Sequence, residues 1–289
     1  MERLQPDNVP PSLDSKTGVQ SKDVVISAET NVSARLYIPK DSNSDHKLPL
    51  IIYFHGGGFI SGSPFQEVYH YYLNSIVAEA KVVAVSVDYR LAPENPISTL
   101  YDDSWFVLKW VASHYKGGGN ETWLKDYVDF ERVFFGGESA GGNIVHNMAM
   151  RCGSEKLDDV KLLGIFLINP YFFGKERIGQ NEAKLPSDVI KSVENLWLIA
   201  GRMSIGLDDP RVDPLSDPKL SSLGGSKVLV SIAEKDWLRD RDNQVNYQLI
   251  KQPILCSFQV FELKLNWVSC EWHFAAVVGL DNPKGRVEK

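Results

Sequence analysis

The sequence holds only three cysteines among 289 residues, Cys152, Cys256 and Cys270, and they form no spaced framework. An odd, sparse set of this kind excludes a disulfide scaffold and fits a reducing compartment. None of the six histidines sits in a His-x-x-x-His pattern and no Cys-x-x-Cys is present. A dedicated zinc centre is therefore not expected. No apolar stretch approaches the roughly 20 residues of a membrane helix. Met1 to Ser12 is polar and proline-bearing, with no apolar h-region, so no secretory signal is expected and the cytosol is the default location. Basic residues do not cluster, and the formal net charge is -6. That balance argues against nucleic acid or an anionic membrane as partner, because both reward grouped Lys and Arg. Internal repeats and low-complexity tracts are also missing.

What is there is an ordinary globular composition, 43% hydrophobic and 24% charged, enough for one substantial core. After an irregular lead-in over 1–22, Asp23 to Ser27 and Val32 to Ile38 read as strands, rich in β-branched residues. Five nearly continuous apolar runs follow: Leu48–Phe54, Lys81–Val87, Arg132–Gly136, Leu162–Ile168 and Lys227–Ala233. Such runs suit strands buried on both faces of a parallel sheet. Between them, Tyr69–Glu79 and Leu100–His114 carry apolar residues at helical spacing. Strands alternating with helices predict an α/β fold, a mostly parallel sheet flanked by helices on both faces, as one domain over 1–289. Residues 172–225 break the rhythm, with a helical pattern at Ser187–Ala200 and a run rich in proline and aspartate at Asp208–Pro218. An insertion of this length between core strands reads as a cap, joined by the lead-in 1–22.

Ligands of open parallel sheets gather beyond the carboxyl ends of the strands, so the residues that follow each strand are the candidates. After Arg132–Gly136 stands Gly137-Glu138-Ser139-Ala140-Gly141, a G-x-S-x-G run leading into a helical pattern through about Cys152. Strand, tight glycine turn and helix are the context of a nucleophile elbow, and Ser139 is the nucleophile it presents. After Leu48–Phe54 stands His55-Gly56-Gly57-Gly58. Backbone N–H groups of Gly56, Gly57 and Gly58, with that of Ala140, are candidate donors to an oxyanion. His55 itself reads as orienting that loop. After Lys227–Ala233 comes Asp236, the candidate acid, with Glu234, Asp240 and Asp242 as rivals. His273 follows a strand-like Phe258–Leu263 and completes the order Ser, Asp, His. The other histidines fit less well: His46 lies in a charged loop, His70 and His114 in helical patterns, and His146 deep in the helix after Ser139.

Together, His55-Gly56-Gly57-Gly58-Phe59, Asp88-Tyr89-Arg90-Leu91-Ala92-Pro93-Glu94 and Gly137-Glu138-Ser139-Ala140-Gly141-Gly142-Asn143 resemble the hormone-sensitive-lipase-like esterases. The surrounding sequence is similar to the plant carboxylesterase group that includes 2-hydroxyisoflavanone dehydratase, over roughly residues 9–242. The resemblance implies an α/β-hydrolase fold and a triad of Ser139, Asp236 and His273. It also implies an oxyanion hole from the glycine run and Ala140, no metal or organic cofactor, and a small-molecule ester as substrate. Arg90 and Glu94 would fix the segment after their strand. The group also holds dehydratases, alkaloid cyclases and receptors that bind without turnover; the receptors lack the triad histidine, whereas His273 is present here. The chain departs from the group pattern in three places. Glu138 stands where Asp is more usual, the amino-terminal part is short, and the sequence drifts from about Asn243, with Lys264–Trp272 lacking the usual glycine-rich approach to the histidine.

Overall fold

The computed structural model describes residues 7–157, 159–250 and 257–263, the last of these and Ile250 by backbone only. Its centre is an eight-stranded sheet: β1 (Val19–Ser27), β2 (Val32–Pro39), β3 (Leu48–Phe54), β4 (Val83–Asp88), β5 (Val128–Glu138), β6 (Leu162–Ile168), β7 (Lys227–Ala233) and β8 (Ser257–Leu263). The spatial order is β1-β2-β4-β3-β5-β6-β7-β8. β2 runs antiparallel to both β1 and β4, and every pairing from β4 through β8 is parallel. Strand order therefore reverses at β3, whose neighbours β4 and β5 both follow it in sequence. That reversal opens a crevice at the carboxyl ends of β3 and β5, where Phe54 pairs with Gly137.

The continuous apolar runs are explained by burial on two faces. Leu50, Ile52 and Phe54 join the larger core, while Ile51 and Tyr53 point to the opposite side. On the larger side pack α2 (Ile97–Ala112) and α4 (Ala140–Glu155), and on the other lies α1 (Glu67–Ala80) through Tyr69, Leu73, Ile76 and Val77. Shorter α3 (Thr122–Tyr127) leads into β5, and α7 (Arg239–Ile250) joins β7 to β8. Between β6 and β7 run α5 (Gly179–Glu182), α6 (Ser187–Ala200) and two single 3-10 turns, Pro214–Ser216 and Leu220–Ser222. Val193, Trp197 and Ala200 of α6 are buried into the larger core. No helix among the described residues is long and apolar enough to cross a membrane.

The starts of β1 and β5 differ from the sequence reading because of how these strands pair. β1 begins at Val19, inside the expected lead-in, because Val19 to Lys22 pair with Pro39 to Leu36. β5 begins at Val128, since Leu48 pairs with Val128 before a register shift.

Candidate active site

Ser139 follows β5 and precedes α4 with φ 53° and ψ -117°, a left-handed φ that a side-chain-bearing residue rarely adopts. Neighbours hold it there. Ser139 N–H donates to Ile168 O at 2.9 Å, and Ser139 O accepts from Tyr171 N–H at 2.9 Å and Asn143 N–H at 3.1 Å. Glycines are required on both sides by close approach. A Cβ on Gly137 would lie 2.4 Å from Gly141 O, and one on Gly141 would lie 2.0 Å from Phe54 O. The turn is thus the strand–elbow–helix of the G-x-S-x-G expectation, with Ala140 as the first residue of α4. The helix amino end there favours developing negative charge.

The glycine loop is fixed as firmly. Gly57 (φ 113°) and Gly58 (φ 60°) both lie in the left-handed region, and a Cβ on Gly57 would sit 2.1 Å from Ser61 O. Gly57 O accepts from Ile60 N–H at 3.2 Å and Ser61 N–H at 3.0 Å, closing the turn. Gly56 departs from the sequence expectation: its N–H donates to Tyr69 Oη at 2.9 Å, which leaves Gly57, Gly58 and Ala140 as candidate oxyanion donors. His55 is fully buried, donates from Nδ1 to Gly56 O at 2.7 Å, and stacks on Tyr89 with ring centroids 4.3 Å apart and planes 9° apart. Burial pushes its pKa down to about 4, so it stays neutral and serves as scaffold.

The Asp88–Glu94 segment braces this loop. Tyr89 Oη–H donates to His55 O at 2.7 Å, Ala92 N–H donates to Phe59 O at 3.0 Å, and Arg90 forks onto Asp103 at 2.9 and 2.6 Å. Phe59 in turn meets Tyr171 and Trp197 edge-on, at 5.2 and 5.8 Å between centroids. The glycine loop, the elbow and α6 are packed as one body.

Ser139 and Asp236 line the same cavity, of about 380 Å³, with Asn169, Tyr171, Val193, Leu196, Lys235, Trp237 and Leu238. Asp236 follows β7; its Oδ1 accepts from Leu238 N–H at 2.8 Å. Burial raises its pKa, and the Leu238 hydrogen bond opposes that rise. The rival acids are placed elsewhere. Asp240 accepts from Asn181 N–H at 2.6 Å and Glu182 N–H at 3.0 Å, Glu234 is exposed, and Asp242 is buried within α7. His273 lies outside the described residues. Among those described, no group of three or more His, Cys, Asp or Glu side chains could hold a metal ion.

Three residues of the site carry no motif in the sequence. Asn169 follows β6, between nucleophile and acid, and its Oδ1 accepts from Ala233 N–H at 2.7 Å, tying down the strand end that carries Asp236. Tyr69 on α1 holds Gly56, and Tyr171 Oη–H donates to Val193 O on α6. Asn143, within the resemblance motif, accepts from Tyr101 Oη–H at 2.7 Å and donates to Tyr171 O at 3.0 Å and Arg211 O at 2.7 Å.

A sheet of this order with a strained serine elbow beyond β5 and a glycine loop beyond β3 defines an α/β hydrolase. The chain belongs to the alpha/beta hydrolase fold family, whose model matches residues 51–263. It is 45% identical over 245 residues to probable carboxylesterase 13 of Arabidopsis thaliana, covering 80% of this chain and 74% of that one. It is 42% identical over 236 residues to 2-hydroxyisoflavanone dehydratase of Glycine max, covering 79% and 73%. Among solved structures it is similar to a hyperthermophilic esterase from the archaeon Pyrobaculum calidifontis, with TM-score 0.66, 27% identity and coverage of 84% and 76%. A thermostable carboxylesterase cloned from a metagenomic library gives TM-score 0.67 at 27% identity, covering 84% and 79%.

Proposed function

We propose that this protein is a serine carboxylesterase acting on small to medium carboxylic esters through Ser139, His273 and Asp236. The observation that carries the reading is the strained Ser139, held on the cavity it shares with Asp236. Relatives named carboxylesterase and solved esterases of the same fold support it.

His273 takes the proton from Ser139 as Oγ attacks the ester carbonyl. The carbonyl oxygen becomes an oxyanion facing the N–H groups of Ala140, Gly57 and Gly58, each such donor being worth about 10²–10³ in rate. Collapse expels the alcohol, which takes the proton from His273, and leaves an acyl-enzyme on Ser139. Water, deprotonated by His273, attacks in turn and releases the carboxylic acid. Asp236 orients the imidazole and stabilises its charged form. Residues 172–225 act as a cap, through Val193 and Leu196 on the cavity wall, together with the lead-in that precedes β1. The scattered cysteines and acidic balance favour a cytosolic protein with no nucleic-acid partner.

The test is hydrolysis of a short p-nitrophenyl ester by wild type and Ser139→Ala side by side. Loss of the nucleophile should cost about 10⁶ in kcat. A folded wild type without turnover would defeat the reading. A second reading, dehydration of a hydroxylated flavanone in the same cavity, draws on the dehydratase relative from Glycine max; product analysis with such a substrate separates the two.

A further inference from the structure

Three polar atoms from two elements converge on Gly56. A Cβ placed there would lie 3.0 Å from Tyr69 Oη of α1, and 3.1 and 3.3 Å from O and Oε2 of Glu138 at the end of β5. Gly56 N–H donates to Tyr69 Oη at 2.9 Å, and Tyr69 Oη–H donates to Glu138 Oε2 at 3.1 Å. The chain of bonds is sheltered, with Tyr69 only 8% exposed. It joins the residue before the glycine turn to the residue before the nucleophile.

We propose that Tyr69 and Glu138 are positioning residues of the oxyanion loop: through Tyr69, the charge state of Glu138 sets how firmly Gly57 and Gly58 are presented to Ser139. This rests on the esterase reading of the site. An ionised carboxylate can only accept, so it forces the Tyr69 O–H toward itself and leaves the phenol lone pairs to Gly56 N–H. A protonated Glu138 can donate to the same phenol oxygen and competes with Gly56 for it. Charge-assisted bonds are also roughly twice as strong as neutral ones. The amino end of α4, which begins two residues after Glu138, offsets the negative charge beside the nucleophile.

The surroundings place the switch in the working range. Burial pushes the Glu138 carboxyl up to about 7, with the Tyr69 hydrogen bond opposing and the Asp236 charge adding to the rise. Tyr69 stays protonated, because burial and the Glu138 charge raise its pKa. Beside this chain also lie His55, held neutral by burial, Tyr89 stacked on it, whose phenol is also raised by burial, and Tyr53 of β3, whose ring centroid is 6.3 Å from that of Tyr69.

The experiment uses the whole chain labelled with ¹⁵N-glycine, together with Glu138→Gln and Tyr69→Phe. In wild type the Gly56 amide resonance should titrate near neutral pH, and in both variants that titration should vanish. With p-nitrophenyl acetate, both variants should lose about 10- to 100-fold in kcat, with KM within twofold of wild type, because only the transition-state contact is misplaced. In wild type the acid limb of log kcat should exceed unit slope, reflecting Glu138 and the catalytic base together; in Glu138→Gln it should fall to unit slope. A Gly56 amide that still titrates in Glu138→Gln, or a kcat within twofold of wild type in that variant, overturns the proposal. The isosteric Glu138→Gln decides the matter should Tyr69→Phe fail to fold. If wild type hydrolyses no ester, the esterase reading fails, while the amide titration still decides whether the relay exists.

Discussion

Gly141, in the first turn of α4, lies against the carbonyl of Phe54 at the end of β3: a Cβ on Gly141 would stand 2.0 Å from Phe54 O and 2.6 Å from His55 O. Both obstacles are backbone, so neither can swing aside. The glycine lets the elbow helix approach the strand that carries the glycine loop. Gly141→Ala should therefore lower stability by about 1–3 kcal/mol, the cost of overpacking a fixed site. Activity should fall further than stability, since the two halves of the site are pushed apart. Urea midpoints and p-nitrophenyl acetate turnover on the same preparations check this.

The left-handed φ of Ser139 predicts an inversion of the usual order between two inactive variants. Alanine keeps the strain, whereas glycine adopts this conformation without it. Ser139→Gly should match or exceed Ser139→Ala in stability, where glycine ordinarily costs about 0.5–1 kcal/mol more. Paired denaturation curves measure the difference.

His146 on α4 is buried, makes a T-shaped contact with Phe172 at 5.3 Å, and has neither ring nitrogen partnered among the described residues. Burial pushes its pKa down to about 4. The unfolded chain, with an ordinary pKa near 6.5, then binds the proton first as pH falls, so this group's contribution is complete above about 6.5 and is lost toward 4. Glu138 and Asp88, raised by burial to about 7 and about 6, work in the opposite direction over part of that range. A comparison with His146→Leu isolates the histidine. Between pH 7.5 and 5, wild type should lose about 2 kcal/mol more stability than the variant.

Asn143 joins α2, the elbow helix and the segment after β6 through three hydrogen bonds, to Tyr101, Tyr171 and Arg211. Asn143→Ala leaves a buried phenol and two carbonyls without this partner, and should cost roughly 1–3 kcal/mol for each group that finds no substitute. Tyr171 N–H also holds Ser139 O, so kcat should fall as well. Thermal unfolding and kinetics separate the two effects.

Leu196 on α6 lines the cavity and would touch a Cβ on Gly58 at 3.1 Å. Leu196→Ala should enlarge the space above Ser139. The ratio of kcat/KM for butyrate over acetate esters should rise by about 10-fold, within the range of a methylene's worth of pocket contact. An unchanged ratio would remove α6 from substrate selection.

Much of the fold could be read along the chain. The apolar runs at Leu48–Phe54, Leu162–Ile168 and Lys227–Ala233 became β3, β6 and β7 with the same bounds, because strands buried on both faces leave no polar positions to blur their ends. The helical pattern at Ser187–Ala200 likewise became α6. Less was visible in α7, whose Arg-, Asp- and Asn-rich sequence masks a helix buried through Val245 and Leu249. The segment before β2 was legible only in part, since Val19 to Lys22 are strand by virtue of their pairing with Pro39 to Leu36.

In the site, local chemistry marked the glycine loop and Ser139. Tight turns and left-handed φ values demand particular residues at particular spacings, and the chain must spell them out. Partners that meet across the sheet leave no such mark. Nothing in the sequence ties Tyr69 to Gly56, Asn169 to Ala233 or Asn143 to Arg211, because each bond depends on where separate elements come to rest. The sequence by itself determined a parallel α/β sheet, its elbow and its glycine turn. Only the tertiary structure decided that Asp236, rather than Glu234, Asp240 or Asp242, shares the cavity of Ser139, and that Gly56 N–H belongs to Tyr69. Backbone conformation is a local property of the chain, whereas the company a side chain keeps is fixed by packing between elements far apart in sequence.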